Sequence, residues 1–331
     1  MRELSEVRHL RIAEGEAGWR FDRWLRAHFP GLPHGRLMKL LRTGQFRLDG
    51  RRVEPATRIS AGQIVRVPPL GPFTGETEAR RASPVSERDA RLLRRLVVYE
   101  DDDLLVLDKP AGLAVQGGTG TRRHLDGMLD ALARDGERPR LVHRLDRDTA
   151  GLLVLARSAR AAKELMHAFQ QHRVRKLYWA IVLGRPEREE GVIDLPLGKA
   201  GPRGEERMTP HAPDARRART RFRTIARAGR AASWLGLLPL TGRTHQLRAH
   251  CAAIGCPIMG DFKYGGKEQP RDAPEGLMLQ AIELELPHPR GGTLAIRAEP
   301  AKHIRQGLAF FGLAPEPLYG SRLADWPSEA Q

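Results

Sequence analysis

Cysteine is nearly absent: 331 residues contain two, Cys251 and Cys256. Two thiols cannot make a structural zinc site alone, and their spacing is not CxxC, so disulfide frameworks and zinc modules are set aside. Long apolar runs are missing as well. No stretch approaches the roughly 20 residues that cross a bilayer, and the N-terminus shows no signal-peptide pattern. Lysine is scarce, 8 of the 56 basic residues against 48 arginines. With abundant Ala and Gly, that bias reads as genome composition and carries no functional weight. The net charge of +16 does carry weight. With a pI near 10.8 it calls for a polyanionic partner. No basic amphipathic helix with a strongly apolar face stands out, so nucleic acid outranks a membrane surface. A mean hydropathy of −0.46 with 40% hydrophobic residues describes a soluble globular protein long enough for two or three domains. The expected compartment is the cytoplasm.

The most informative stretch is LVHRLDRDTAGLLVLAR, residues 141–157. It sets one carboxylate, Asp146, between Arg144 and Arg147, with His143 before and Asp148 after. Leu152 to Leu155 form a short apolar run with Val among the leucines, which predicts a buried strand. Asp146 is therefore expected in a tight loop at a sheet edge, with at least one flanking arginine holding it ionised. A solvated ion-pair loop is the commoner fate of such charges. The length and specificity of HRLDRDTAG weigh against it.

HRLDRDTAG resembles the central motif of the large-subunit ribosomal RNA pseudouridine synthases of the RluA/RluC/RluD type, with Ala150 where the family commonly has Ser. The resemblance makes Asp146 the catalytic residue and implies isomerisation of uridine to pseudouridine in 23S ribosomal RNA. Three further segments agree with it. DKPAGLAVQGGTG (108–120) is similar to the family's first motif, in the VxGGxG form closest to the RluC branch. KLYWAIV (176–182) matches the second, whose tyrosine, here Tyr178, stacks on the flipped base; a strand tyrosine would otherwise be read as core. TGRTHQLRAH (241–250) matches the third, in which Arg248 pairs with the catalytic carboxylate and Leu247 lines the pocket floor. Arg144 is implied to fill the space left by the flipped base. PIMGDFKYGG (257–266) is similar to a rim loop of the family.

The remaining chain is read by pattern. Residues 1–15 are a polar lead-in. From Trp19 to Val53 come two short helices with apolar stripes at Phe21, Trp24, Leu25 and Phe29, then at Leu37, Leu40 and Leu41, followed by a hairpin turning at Asp49-Gly50. Residues 1–70 hold 13 Arg and 1 Lys against 7 acids, net +7. This region resembles an S4 RNA-binding domain (16–70), with Arg36, Lys39 and Arg42 as its RNA contacts. Gly, Pro, Ser, Thr and charge fill 71–89, a linker. A catalytic domain over 90–313 has the expected pseudouridine synthase fold: α+β, a mixed, mainly antiparallel central sheet with flanking helices. A helix capped by Ser158 follows the central motif. Residues 185–217 read as an exposed basic insertion, 219–255 as strand, hairpin, strand and helix, 277–299 as two strands, 300–312 as a last helix, and 314–331 as a loosely ordered tail.

Neither cofactor nor metal is expected. His245 and His250 point roughly 140° apart on a helix, given about 100° per residue, so they cannot share an ion as an HExxH pair does. The expected partner is ribosomal RNA, with the protein acting as a monomer away from membranes. Two rival readings stand beside the synthase: a non-catalytic RNA-binding or ribosome-assembly protein that keeps the fold, and a metal-dependent RNA hydrolase. The intact set of Asp146, Tyr178 and Arg248 argues against the first, the histidine spacing against the second.

Overall fold

A computed structural model of the chain describes residues 6–29, 31–32, 34–71, 85–117, 121, 123–202, 205–265, 269–314 and 318–327. The chain divides into two units, 1–84 and 85–331, and each has its own apolar core. No described helix is long and apolar enough to cross a membrane.

The first unit runs β1 (Arg8–Arg11), α1 (Phe21–His28), α2 (His34–Arg42), β2 (Arg47–Leu48), β3 (Arg51–Arg52) and β4 (Ile64–Val67). The strands form one sheet in the order β1-β4-β2-β3. Phe21, Trp24 and Leu25 of α1 meet Leu37 and Leu41 of α2 over Phe46, Val65 and Val67. Asp49 and Gly50 both take positive φ, +48° and +76°, which is the twist a two-residue hairpin turn needs. The lead-in is more ordered than its composition suggests. β1 pairs antiparallel with β4, Arg8 opposite Val67; an edge strand needs only its backbone to pair, so RHLR shows no apolar alternation.

The second unit opens with α3 (Glu87–Leu96), whose N-terminus Ser86 caps by accepting from the Asp89 amide. The linker expected through residue 89 therefore ends earlier, and 72–84 lie outside the described residues. Then come β5 (Val97–Glu100), β6 (Leu104–Lys109), β7 (Arg140–Leu141), β8 (Ala150–Ala156), α4 (Ala159–Gln170) and β9 (Arg175–Leu183). They are followed by β10 (Glu190–Asp194), β11 (Gly198–Ala200), β12 (Arg207–Thr209), β13 (Arg219–Ala228) and β14 (Ala232–Pro239). The unit ends with α5 (Gln246–Ala253), β15 (Leu279–Pro287), β16 (Thr293–Arg297) and α6 (Lys302–Phe310). One sheet runs β10-β13-β14-β9-β15-β8-β6-β5, with β16 along β15 and β7 along β8. Among the described strands every pairing is antiparallel except β15 with β8. The expected mixed, mainly antiparallel α+β architecture is what the chain adopts.

β8 is the central element, with all seven residues buried. It takes β6 along its length on one side and the start of β15 on the other. Gly151 sits at that crossing with φ +107°, and a Cβ there would lie 2.1 Å from the Ala281 carbonyl oxygen. Only glycine permits both the conformation and the approach. Ser158 caps α4 by accepting from the Ala161 amide.

Two segments differ from their sequence reading. The 185–217 stretch is not simply exposed: it contributes β10 to the main sheet and pairs β11 with β12, and it buries Ile193 and Leu197. These strands are short and polar, so no alternation marks them. The expected loose tail also fails for 318–326. Trp326 and Leu323 are buried, and their carbonyls accept from the Arg175 guanidinium at 3.0 and 3.1 Å. A docked tail held by its backbone leaves no periodic signature. Within the glycine-rich loop at 117–120, residues 118–120 lie outside the described residues, as does 266 of the 257–266 rim loop.

Candidate active site

The loop before β8 is built by pinning both of its ends. His143 Nε2 accepts from the Val154 amide at 2.9 Å, and the ring stacks on Phe169 of α4, centroids 4.4 Å apart. Burial pushes this imidazole down to a pKa of about 3, so it is neutral and structural. Leu145 goes into the core. Downstream, the Thr149 amide closes a turn on the Asp146 carbonyl, and the Arg147 carbonyl takes two donors, the Gly112 amide and Lys109 Nζ. Lys109 is fully buried and also donates to the Pro110 and Leu113 carbonyls at 3.0 Å. Burial lowers its pKa to about 8, which leaves it mostly charged at neutral pH, with three carbonyls to receive its protons. One ammonium thus ties the 110–113 turn to the loop that carries Asp146.

Between these pins the Asp146 side chain stays 23% exposed. The flanking arginines do not hold it. Arg147 is paired with Asp148 at 2.9 Å, and Arg144 is exposed. Arg147 lies in the turn that Thr149 closes, where its guanidinium reaches forward to Asp148 and not back to Asp146. Among the described residues the titratable neighbour that reaches Asp146 is His245, its Nε2 3.9 Å from Oδ2. Tyr178 of β9 lies close enough that, after burial, the negative charge of Asp146 is the second cause raising the pKa of its phenol. Its ring is buried. Leu247, on α5, is buried beside Arg248.

Arg248 departs from the expected pairing. Its Nε and Nη2 make a bidentate bridge to Asp261, both at 2.7 Å, and its guanidinium lies 5.2 Å from the Tyr264 ring centroid. Burial opposes its charge, but the Asp261 bond and then the Asp261 and Asp146 charges more than offset this, leaving its pKa raised. Asp261 in turn accepts from the Lys263 and Tyr264 amides at 3.1 Å. Arg248 therefore lends Asp146 a positive field, and its ion pair belongs to Asp261. His250 faces elsewhere, bonded to Thr220 Oγ1 and the Leu195 carbonyl. The described residues contain no group of three metal-ligating side chains.

The result is one carboxylate without an arginine partner among the described residues, close to an aromatic ring in a positive surround. Its acidic neighbours, Asp148 and Asp261, are each committed to an arginine. A two-carboxylate acid–base hydrolysis has no second partner here. A carboxylate acting alone, as nucleophile or base on a base held against Tyr178, fits.

In the first unit Arg36, Lys39 and Arg42 are exposed on α2. Arg36 is anchored to the Leu70 carbonyl. Lys39 and Arg42 line a groove of about 690 Å³ together with Arg52, Met38 and Val53.

Sequence reading missed Lys109, Asp261 and Tyr264. The lysine carried a usable signal: in a chain that spells nearly every cation Arg, a lysine kept beside Pro110 requires the compact ammonium. The other two lie in the PIMGDFKYGG segment already matched to the family's rim loop, but nothing local says which of 40 acids meets which arginine.

A family profile described as RNA pseudouridylate synthase matches residues 103–253. The ribosomal large subunit pseudouridine synthase C of Vibrio cholerae is 34% identical over 311 residues, spanning 92% of this chain and 96% of its own length. The protein of that name from Escherichia coli is 34% identical over 296 residues, 88% of this chain and 92% of its own. Among solved structures, human RNA Pseudouridylate Synthase Domain Containing 4 aligns with a TM-score of 0.56 and 28% identity, over 67% of this chain and 95% of that one.

Proposed function

The chain belongs to the RNA pseudouridylate synthase family, and on that premise we propose that it isomerises uridine to pseudouridine in large-subunit ribosomal RNA with Asp146 as its essential carboxylate. The observation that carries the residue assignment is that Asp146 is partly exposed and has no arginine partner among the described residues, while the acids around it, Asp148 and Asp261, are each paired with one. The reaction breaks the bond from C1′ to N1, turns the uracil, and joins C1′ to C5; the C5 proton is lost and N1 gains one. Tyr178 stacks on the displaced base and Leu247 closes the apolar floor. Arg248, fixed by Asp261, supplies field that favours the carboxylate form of Asp146. Arg144, exposed at the loop, enters the RNA where the flipped base has left it. Residues 16–70 act as an S4-like module that grips phosphates through Arg36, Lys39 and Arg42.

Pseudouridine mapping in ribosomal RNA from cells with and without the protein identifies the target sites. On RNA carrying those sites with tritium at C5 of uridine, the protein releases tritium, and Asp146→Asn binds and folds but releases essentially none. Appreciable turnover by Asp146→Asn removes the assignment.

A further inference from the structure

His245 occupies the N-cap of α5 with φ +50° and ψ +23°, a left-handed backbone that a residue with a Cβ takes at a cost. It does none of the work of a cap. Its side chain makes no capping bond, and the turn is closed by Gln246, whose Oε1 accepts from Thr241 Oγ1 and the Arg243 amide. What the unusual backbone does is turn the imidazole into the site. Its edge meets the Tyr264 ring at 89°, Nδ1 lies 3.0 Å from Tyr264 Oη, and Nε2 faces Asp146 Oδ2.

The hydrogen bonds are satisfied with the proton on Nε2. Tyr264 Oη accepts from the Met208 amide at 3.0 Å. The phenol's own hydrogen is then free for His245 Nδ1, the acceptor within its reach. A neutral imidazole that accepts at Nδ1 carries its hydrogen on Nε2, and Nε2 is the atom that faces the carboxylate. Burial, the largest influence on His245, keeps the ring toward the neutral form, and Asp146 opposes it. At 3.9 Å the pair is about 1 Å beyond hydrogen-bond length, a gap of the kind that closes when substrate is bound.

We propose that His245 is a positioning residue for Asp146: held by Tyr264, its Nε2–H donates to the carboxylate and aims it at the flipped uridine. This rests on the assignment of Asp146 as the reacting acid. It gives His245 the orienting bond, because Arg248 spends its paired donors on Asp261.

The test uses full-length protein and an RNA containing a mapped target uridine, read as single-turnover rate at saturating enzyme, RNA dissociation constant and melting temperature. His245→Gly relieves the backbone and removes the donor. It is expected to melt no lower than the parent and to bind RNA within about two-fold. Its rate should drop about 100-fold, the scale of a 1 Å misplacement of a reacting group. His245→Asn tolerates the left-handed backbone and keeps an N–H donor, so it should recover part of that loss. Tyr264→Phe keeps ring and backbone but frees the tautomer, and should lower the rate several-fold without weakening RNA binding. A His245→Gly rate within two-fold of the parent overturns the proposal. So does a loss that appears equally in affinity or melting temperature. If His245→Gly does not fold, a Tyr264→Phe rate equal to the parent's overturns it. Asp146→Asn runs alongside: if that variant turns over, the assignment of the acid is wrong, and if it is dead while His245→Gly is fully active, only the role of His245 is wrong.

Discussion

Arg248 is 9% exposed and Asp261 fully buried, so each is the other's condition for being charged. Removing one partner of a buried pair strands the other, which costs about 3–5 kcal/mol. Asp261→Ala should lose that much in urea unfolding, while a substitution in an exposed pair such as Glu87 with Arg91 should lose under about 1 kcal/mol. A loss below about 1 kcal/mol at Asp261 would show that the bridge is not buried in solution. His143 gives a pH dependence. Its folded pKa of about 3 lies below the ordinary 6.5, so between those values the unfolded chain binds a proton that the native state refuses. Its contribution to stability is complete above pH 6.5 and falls as pH drops toward 3, by about 1.4 kcal/mol per pH unit at most. His143→Gln keeps an acceptor for the Val154 amide and should flatten the fall in stability from pH 7 to pH 5. Equal slopes in the two proteins would mean that His143 titrates freely. At this scale sequence reading locates the residues better than their partners. Asp146, Tyr178 and Arg248 do come close enough to feel one another's charge. The pairing of Arg248 with Asp146, and the hold of Arg144 or Arg147 on the same acid, follow from closeness in motif or chain and are not what the fold makes. Partners are set by where α5 and the 257–265 loop place their side chains, which no local pattern records.

Among the elements, β8 is plain in the sequence because Leu152 to Leu155 can only be interior. Its second neighbour is not. The parallel pairing with β15 is marked by one glycine, and Gly151 in DTAGLL reads equally as a turn residue. Gly151→Ala forces a Cβ to 2.1 Å from the Ala281 carbonyl in a forbidden φ. We expect a loss of about 3 kcal/mol or more in urea unfolding, at the upper end of overpacking costs, and a fall in the saturated rate, since Asp146 leaves the strand five residues earlier. An unchanged unfolding midpoint would show that β8 and β15 separate more readily than their register implies. The apolar helices and strands are legible because their stripes are periodic. β1, β10, β11, β12 and the docked 318–326 segment are not, because short or polar elements are held by backbone bonds rather than by alternation.

At the scale of the whole molecule, the two apolar cores share no residue, so deleting residues 1–84 leaves the second core intact. The first 70 residues carry net +7, while Asp146, Tyr178 and Arg248 all belong to the second unit. The truncated protein should bind RNA more weakly. Its line of log K against log salt should be shallower by about 0.7 to 0.9 for each phosphate it no longer neutralises. Its single-turnover rate at saturating RNA should change little. A truncation that keeps affinity and salt slope but loses the saturated rate would place residues 1–84 in the catalytic machinery.

The parallel pair also has a consequence in time. Gly151 and Ala281, opposite each other in the sheet, are separated by 130 positions in the chain. At about 5–20 residues per second, a ribosome needs on the order of ten seconds to make the second after the first. Through that interval the strand behind Asp146 has β6 along one side and, on the other, only the two residues of β7 at the end remote from Asp146. The first unit by then has its entire core in hand. With the first unit as the RNA-gripping module proposed above, each copy is equipped to hold RNA well before it is equipped to change it.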